Sequence, residues 1–303
     1  MIYTCTLNPS VDYIVEVERF RIGELNRAAK TAAFPGGKGI NVSRVLKRLG
    51  VDNTAFGFIG GFTGAFIESE LKKEEIHADF VKVNGDTRIN IKLKSGEETE
   101  INGQGPSILP DHQDELMNKI QVLNQEDILV LAGSIPPSIS ADFYNQMVDI
   151  AKQKGVKVAV DTSGPALKQF IQHHPFFIKP NHHELGELFD TKISSKNDIL
   201  SYGYKLVELG VENVIVSMAG DGAFFFNKEK ILFATAPKGI VKNSVGAGDS
   251  MVAGFLAAYL NEQDIEKAFQ YSVAAGSATA FSEDLCTKDK VEQLLHEVKV
   301  TQV

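Results

Sequence analysis

Hydrophobic residues in the second half of the chain occur in short runs separated by longer amphipathic segments. The runs ILVLA, VKVAV and NVIVS, at 128–132, 156–160 and 213–217, have the length and β-branched content of buried strands. Between the first two, Ser140 and Gly155 are a predicted N-cap and C-cap of one helix. This alternation predicts a mostly parallel sheet covered by helices on both faces. Ligands bind at the carboxyl ends of such strands, where the residues Ser134, Asp161, Lys179 and Ser217 fall.

Two segments near the N-terminus instead alternate with a period of two. They are YIVEVERF, from Tyr13, and RINIKLKSGEETEIN, from Arg88. In the second, Ile89, Ile91 and Leu93 share one face, whereas Arg88, Asn90, Lys92 and Lys94 share the other. The turn at 95–97 predicts a hairpin, and the two segments together predict a small separate sheet. One face of it needs cover from a ligand or a second subunit. We interpret Lys92 and Lys94 as solvent-exposed charges.

Composition narrows the possible function classes. The 303 residues are 43% hydrophobic and 23% charged, which is enough for one large α/β domain. The formal net charge is −8 without a basic block, which argues against a nucleic-acid partner. Two cysteines and the lack of a secretory signal pattern favour a cytoplasmic protein. The longest apolar run, 251–260, is too short to span a bilayer, so no membrane association is expected.

The stretch VGAGD, at 245–249, carries the main chemical signal. Small residues at the start of an apolar helix expose backbone N–H groups, which together with the helix dipole favour a phosphoryl group. An ionised Asp249 can accept a proton from an attacking hydroxyl, as an aspartate does in kinases of other folds. On the residues alone, a capping role for Asp249 is equally open. The sequence has neither a P-loop nor a dinucleotide-binding fingerprint. Gly37-Lys38 is followed by glycine where a P-loop requires serine or threonine, and the spacing GxGxxG is absent.

Two longer motifs carry a family resemblance. VGAGDSMVAGFL, from Val245, and PGGKGINVSRVLKRLG, from Pro35, resemble the two signatures of the ribokinase-like (PfkB) sugar kinases. TLNPSVD, at 6–12, resembles the branch that acts on sugar phosphates. The resemblance spans essentially the whole chain. It implies a single three-layer α/β/α domain over 1–303, with a mostly parallel central sheet and a small β-sheet lid formed from about 12–34 and 87–104.

The resemblance also implies an activity. The expected reaction is ATP-dependent, Mg²⁺-requiring phosphorylation of fructose 1-phosphate at its 6-hydroxyl, giving fructose 1,6-bisphosphate. Asp249 would accept the proton, while Gly246, Ala247 and Gly248 steady the transferring group. Phosphorylation of tagatose 6-phosphate or fructose 6-phosphate by the same fold remains an alternative, and so does a non-catalytic sugar-phosphate sensor. A homodimer joined through the lid is expected on the same grounds.

By this resemblance, the N-terminal half supplies the sugar-phosphate site. Its expected residues are Asp12, Arg27, Gly36, Gly37, Lys38, Asn41, Arg88 and Ser134, together with Asp249. The two glycines allow close backbone approach to hydroxyl groups, and an arginine fork suits phosphate. The glycine-rich stretch could instead be a tight turn before a helix, with Lys38 in solvent. Each arginine could instead be a surface residue that serves only solubility.

The C-terminal half supplies the nucleotide site on the same grounds. Its expected residues are Lys179, Asn181, Ser217, Gly220, Gly222 and Gly248, with Glu184 binding Mg²⁺ through water and 275–277 beside the adenine. Mg²⁺ keeps several waters, which suits a single carboxylate. Asn181 and Glu184 also have the spacing of a capping box, and the two glycines fit an ordinary hairpin turn. A zinc site at His182 and His183 is not favoured, since adjacent helical residues do not face one another.

Overall fold

The computed structural model describes the backbone of residues 1–303 and every side chain except that of Ala141. These residues form fifteen strands. In chain order they are β1 Ile2–Thr6, β2 Ser10–Glu16, β3 Lys30–Gly36, β4 Asn53–Ile59, β5 His77–Ala78, β6 Val81–Lys82, β7 Arg88–Ser95, β8 Glu97–Asn102, β9 Ile128–Ala132, β10 Lys157–Asp161, β11 Phe177–Ile178, β12 Asn213–Ser217, β13 Ala223–Phe226, β14 Ile231–Ala234 and β15 Val300–Gln302.

The same residues form ten α-helices. They are α1 Lys38–Arg48, α2 Gly61–Lys73, α3 Pro110–Gln121, α4 Ala141–Gln153, α5 Gly164–Ile171, α6 His182–Leu188, α7 Lys196–Glu208, α8 Ala247–Glu262, α9 Ile265–Ala280 and α10 Lys288–Leu295. The predicted N-cap Ser140 precedes α4, and Gly155 follows it with a φ of +73°, as a C-terminal glycine requires. In the part of the chain that the structure describes, no helix is both long and apolar enough to cross a membrane.

Eleven of the strands build one large sheet. Its order is β15-β14-β13-β12-β11-β10-β9-β1-β4-β5, with β6 also paired to β4. The strands from β12 to β5 run parallel, whereas β13, β14 and β15 are antiparallel additions at one edge. The predicted parallel sheet is therefore confirmed.

Most of the core lies in two layers, one on each face of this sheet. Strand β9 shows the division, because Leu129 and Leu131 belong to one apolar cluster while Ile128 and Val130 belong to the other. Both faces of a parallel strand are buried, which is why these runs are continuously hydrophobic. Helices α8 and α9 pack on the second face, where the rings of Phe177 and Phe255 stack at 4.3 Å. The three-layer α/β/α class is confirmed.

A separate four-stranded sheet has the order β3-β2-β7-β8, in which only β2 and β7 are parallel to each other. The predicted hairpin corresponds to β7 and β8. Its polar face turns inward: Asn90 and Lys92 are buried, whereas Ile89 is 41% exposed. The interpretation of Lys92 as a solvent charge is therefore wrong, since the side chain is 7% exposed, and Lys94 is only half-buried.

Candidate active site

A cavity of about 1310 Å³ lies between the carboxyl ends of the parallel strands and the polar face of the small sheet. Single ligand pockets measure roughly 300–1,000 Å³, so this one has room for two substrates. Most of the predicted site residues line it: Asp12, Gly37, Lys38, Asn41, Arg88, Ser134, Lys179, Asn181, Glu184, Ser217, Gly220, Gly222, Gly246, Ala247, Gly248 and Asp249. The position is the one expected for a ligand of such a sheet.

Two predicted residues lie outside this lining. Arg27 is exposed on the loop between β2 and β3, so a single chain does not bring it to the cavity. Gly36 ends β3 and abuts Asp12, where a Cβ would come within 2.4 Å of the carboxylate carbon. The close approach at Gly36 is therefore to the Asp12 side chain within the chain itself. The role proposed for Arg27 stays a prediction.

Helix α8 begins at the floor of the cavity. Gly246 precedes it with a φ of +77°, which favours glycine, and a Cβ there would come within 2.5 Å of Leu285 Cδ2. The Ala247 amide donates to the Ser244 carbonyl at 3.3 Å. The next first-turn amides, of Gly248 and Asp249, have no acceptor within the helix. The helix start therefore offers donors and a positive dipole end to the cavity.

Replacing Gly246 with alanine is expected to lower stability by more than the left-handed backbone alone explains. That conformation costs roughly 1–2 kcal/mol for a non-glycine residue, and the contact with Leu285 adds to it. Gly96 is a matched control, because its φ is +76° but nothing lies within 4 Å of the position that a methyl group would occupy. Urea unfolding of Gly246→Ala and Gly96→Ala measures the difference. Equal losses of unfolding free energy would contradict the steric account.

Asp249 lies in the first turn of α8 and is 6% exposed. Asn41, from the first turn of α1, donates its side-chain amide to Asp249 Oδ2 at 2.8 Å. The N-terminal turn of α1 thus orients a carboxylate in the N-terminal turn of α8, and both turns face the cavity. This partner belongs to a different helix, so the hydrogen bond that holds the Asp249 carboxylate joins α1 to α8 rather than capping α8.

Two lysines and a second buried aspartate surround Asp249. Lys38 Nζ lies 3.1 Å from Asp161 Oδ1, and Lys179 Nζ lies 3.8 Å from the same oxygen. A Cβ on Gly248 would come within 3.0 Å of Lys179 Nζ, so the glycine leaves room for that ammonium group. The arrangement brings Lys179 beside Gly248 at the start of α8 and holds Lys38 on the same Asp161 carboxylate, so both cations line the cavity, where they can stabilise a phosphate.

Burial and the neighbouring charges shift the pKa values of both aspartates. Burial, followed by the charge of Asp161, raises the pKa of Asp249 to about 6, although Lys38 and Asn41 oppose the shift. Burial also disfavours the charged form of Asp161, but Lys179 and Lys38 outweigh it and hold the pKa of that carboxyl below its usual range. The helix dipole by itself predicts an Asp249 carboxylate that is not raised in pKa. In the structure, Asp249 is a proton acceptor with a pKa near neutral pH, whereas Asp161 stays a permanent anion.

The small sheet holds another carboxylate over the cavity. Asp12, on β2, accepts hydrogen bonds from Ser10 Oγ at 2.8 Å and from Asn90 Nδ2 at 3.1 Å. Asn90 lies directly opposite Asp12 in the parallel β2–β7 pair. These bonds fix the carboxylate, which lines the cavity. A fixed carboxylate in this position can accept two hydrogen bonds from neighbouring sugar hydroxyls.

Arg88, Asn8 and Ser134 meet at one edge of the cavity. The Arg88 guanidinium donates from Nε and Nη2 to the Asn8 carbonyl at 3.2 and 3.0 Å, and Asn8 Nδ2 donates to Ser134 Oγ at 3.2 Å. Burial lowers the pKa of Arg88, which Asp12 partly offsets, but an arginine stays charged. A cation, an amide and a hydroxyl together suit a phosphate group.

The opposite end of the cavity is formed by the segment after β11 and the turn after β12. Asn181 and Glu184 form the capping box of α6: Asn181 Oδ1 accepts from the Glu184 amide at 2.9 Å, and Glu184 Oε2 accepts from the Asn181 amide at 2.8 Å. Glu184 still lines the cavity and keeps its other oxygen outside these bonds. Gly222 has a φ of +94°, so the hairpin turn needs a glycine there.

Sequence reasoning left several cavity residues without a role. Asp161 appeared only as a strand end, Asn8 only inside the TLNPSVD motif, and Asn90 and Lys92 only as the polar face of a strand. The alternation along β7 was a usable signal, because it puts four polar residues on one face, of which Arg88, Asn90 and Lys92 line the cavity. The pairing of Asp161 with two lysines from distant segments has no signal in the sequence.

A family model for pfkB family carbohydrate kinases matches residues 6–291. The chain belongs to this family. Its sequence is 55% identical over 303 residues to a 1-phosphofructokinase of Bacillus subtilis, covering 100% of both chains. It is 41% identical to a D-tagatose-1-phosphate kinase of Bacillus licheniformis, covering 99% of both.

Solved structures agree with this assignment. The kinase superposes on phosphofructokinase-2 from Escherichia coli, crystallised with fructose-6-phosphate, with a TM-score of 0.92 and 29% identity over 98% of both chains. The predicted family membership and fold are confirmed. As a carbohydrate kinase, the enzyme transfers a phosphoryl group to a sugar hydroxyl, with ATP as the implied donor.

Proposed function

We propose that this kinase phosphorylates fructose 1-phosphate at the 6-hydroxyl with ATP, giving fructose 1,6-bisphosphate and ADP. The observation that carries the proposal is the buried Asp249 carboxylate, held by Asn41 beside the donor amides of α8 and the Lys38–Asp161–Lys179 cluster. Two relatives named for kinases of ketohexose 1-phosphates, at 55% and 41% identity over nearly the whole chain, favour an acceptor with its phosphate on C1.

ATP occupies the end of the cavity formed by Ser217, Gly220, Gly222 and the start of α8, with the adenine beside 275–277. The glycines allow the backbone to approach the phosphates closely. Lys179, 5% exposed, faces Gly248 and meets the terminal phosphate. The first-turn amides and this ammonium stabilise the charge on the equatorial oxygens during transfer.

The acceptor sugar occupies the end under the small sheet. Asp12 accepts from its ring hydroxyls, and the backbone at Gly37 and the side chain of Lys38 contact it from below. Arg88 and Ser134 bind the phosphate already present. Arg27, exposed in one chain, joins them only if a lid movement or a second subunit brings it to the cavity.

Asp249 takes the proton of the 6-hydroxyl. As the oxygen attacks the γ-phosphorus, the bond from that phosphorus to the β,γ-bridging oxygen breaks, and ADP leaves with the bond's electron pair. The hydroxyl proton passes to an Asp249 oxygen and afterwards to solvent. General-base help of this kind contributes roughly 10²–10⁴-fold. The pKa of about 6 makes Asp249 a stronger base than an exposed aspartate while leaving it mostly ionised at neutral pH.

Mg²⁺ fits the donor set at the nucleotide end. Glu184 supplies a hard carboxylate oxygen beside the predicted triphosphate, and Mg²⁺ prefers such oxygens together with water and phosphate. Glu184 would hold the ion through water, with Asn181 fixing the carboxylate. When bound, the ion neutralises charge on the ATP phosphates.

The small sheet acts as a lid in this proposal, and a second copy of the chain covers its outer face. Tyr13, Ile89 and Ile101 are 38%, 41% and 55% exposed on that sheet, an apolar set that supports a homodimer. A closed lid excludes water, which would otherwise accept the phosphoryl group. Analytical ultracentrifugation tests this arrangement, and a monomer at micromolar concentration would contradict it.

The raised pKa of Asp249 predicts how activity depends on pH. The base must be deprotonated, so kcat/KM is expected to be constant above about pH 7 and to fall tenfold per unit below about pH 6. With an aspartate of ordinary pKa, the same fall in kcat/KM would begin about two pH units lower. The second ionisation of the sugar phosphate lies near pH 6, so its dianion fraction is measured by phosphorus NMR and divided out. A corrected profile that stays flat down to pH 5 would contradict the assignment.

Steady-state kinetics with a panel of acceptors tests the proposed substrate. We expect kcat/KM for fructose 1-phosphate to exceed that for tagatose 6-phosphate and fructose 6-phosphate by tenfold or more, since ligand-specific polar contacts discriminate strongly. Tagatose 1-phosphate belongs in the panel because it shares the C1 phosphate. Preference for a 6-phosphate would overturn the substrate. Lack of ADP formation with every acceptor would favour the sensor alternative.

A further inference from the structure

The small sheet places a buried lysine on the wall of the cavity. Lys92 lies on β7 four residues beyond Arg88, so both project from the same face of the strand, with Asn90 between them. Lys92 is 7% exposed and lines the cavity. Its ammonium group pairs with the carboxylate of Glu100, which lies directly opposite on β8.

This ion pair is expected to add little to the stability of the small sheet. Every residue of β8 is exposed, and the Glu100 side chain is 44% exposed. Removing a lysine from water opposes the attraction to its partner, so such pairs add little net stability, and an apolar side chain often serves as well. The pair therefore needs another explanation, and its position on the cavity wall supplies one.

The charges at the acceptor end leave a place for a second cation. A sugar phosphate carries about −1.5 to −2 charges at pH 7. Arg88 is hydrogen-bonded to the Asn8 carbonyl, Lys38 is paired with Asp161, and Arg27 is exposed outside the cavity. Lys92 is a further lysine on the same strand face as Arg88. The two Cα atoms are about 13 Å apart along the strand, a span that two long side chains can close around a ligand.

We propose that Lys92 binds the phosphate of the acceptor sugar, and that Glu100 holds its ammonium group until that phosphate arrives. The inference rests on the proposed function, whose acceptor carries a phosphate. Because Glu100 is half exposed, its carboxylate turns into solvent when the phosphate displaces it. Lys92 and Arg88 together then select phosphorylated ketohexoses over free ones.

Lys92→Met is expected to raise the KM for fructose 1-phosphate by roughly 10- to 100-fold, the range for losing one hydrogen bond to a charged group. The KM for ATP is expected to stay unchanged. Lys119→Met is a matched control: the Lys119 side chain is 18% exposed and pairs at 2.7 Å with Asp79, itself 44% exposed, but Lys119 does not line the cavity.

The variant Glu100→Gln shows whether Lys92 binds phosphate or only forms a structural ion pair, because the two roles change the KM for fructose 1-phosphate in opposite directions. If Lys92 binds phosphate, removing the competing carboxylate lowers the KM for fructose 1-phosphate, and Lys92→Met/Glu100→Gln keeps the high KM of Lys92→Met. If the pair is structural, Glu100→Gln leaves a buried lysine unpaired and raises the KM, while the double variant recovers. That result, or an unchanged KM in Lys92→Met, would overturn the inference.

Glu100→Gln alone decides the question if Lys92→Met does not fold. Turnover of fructose 1-phosphate by the wild-type enzyme is measured first and reports on the proposed function separately. If another ketohexose phosphate proves to be the acceptor, the same ratios of variant to wild type are taken with that sugar. The comparison of variants therefore tests Lys92 whichever phosphorylated acceptor the enzyme uses.

Discussion

Asp249→Asn is expected to lower kcat with fructose 1-phosphate by roughly 10²–10⁴-fold, the usual contribution of a general base. Asparagine has nearly the same shape and keeps an oxygen for the Asn41 amide, which donates to Asp249 at 2.8 Å. What it removes is the capacity to take a proton. The affinity for ATP is expected to be retained or slightly increased, because one negative charge beside the phosphates disappears. Single-turnover kinetics and calorimetric ATP binding measure the two quantities.

Asp198→Asn is the matched control for this prediction. Asp198 is also an acid in the first turn of a helix, but it serves the capping box of α7 away from the cavity. Its variant should keep wild-type kcat, although it loses some stability with the cap. A kcat for Asp249→Asn within a few-fold of wild type would show that another group, or water, receives the proton.

Arg88→Met is expected to raise the KM for fructose 1-phosphate by about 100-fold or more. The guanidinium is the cation that the structure places beside Asn8 and Ser134, and a bidentate arginine–phosphate contact is worth more than one ordinary hydrogen bond. Methionine retains much of the aliphatic length, so packing against β2 changes little. Initial rates over a range of sugar-phosphate concentrations at saturating ATP give the KM.

Arg21→Met controls for the loss of a positive charge on the lid, because Arg21 lies at the surface and, among the described residues, pairs only with Glu24. Its KM values should match those of the wild type. A rise in the KM for ATP in Arg88→Met, with the KM for the sugar phosphate unchanged, would place Arg88 at the wrong end of the cavity. The prediction also differs from that for Lys92, since Arg88 forms no ion pair within 4 Å among the described residues and is held by the Asn8 carbonyl instead.

The parallel sheet could be predicted because the sequence of each buried strand is recognisable by itself. Runs such as 128–132 are apolar on both faces, which is required only of strands covered on both sides. The small sheet was recognised from its period of two, but the assignment of its faces was incomplete. Alternation shows which residues share a face, not which face is covered. The structure turns the polar face of β7 inward because the cavity, rather than solvent, lies beneath it.

Within the site, local motifs were easier to predict than long-range pairs. The glycine at 246 and the acid at 249 occur within one short stretch, so their helix-start geometry follows from sequence. The raised pKa of Asp249 does not, because it depends on burial and on Asp161, 88 residues earlier in the chain. Similarly, the capping box at Asn181 and Glu184 was predictable, and it leaves one Glu184 oxygen available to the cavity.

A crystal structure with fructose 1-phosphate and a non-hydrolysable ATP analogue tests the central claim most directly. The quantity to measure is the distance from the nearer Asp249 carboxylate oxygen to the acceptor 6-hydroxyl. We predict about 2.6–3.2 Å, the reach required of a general base, with the first-turn amides of α8 facing the γ-phosphate. A carboxylate turned away from a bound sugar, about 6 Å or more from every acceptor oxygen while the small sheet covers the cavity, would contradict the account.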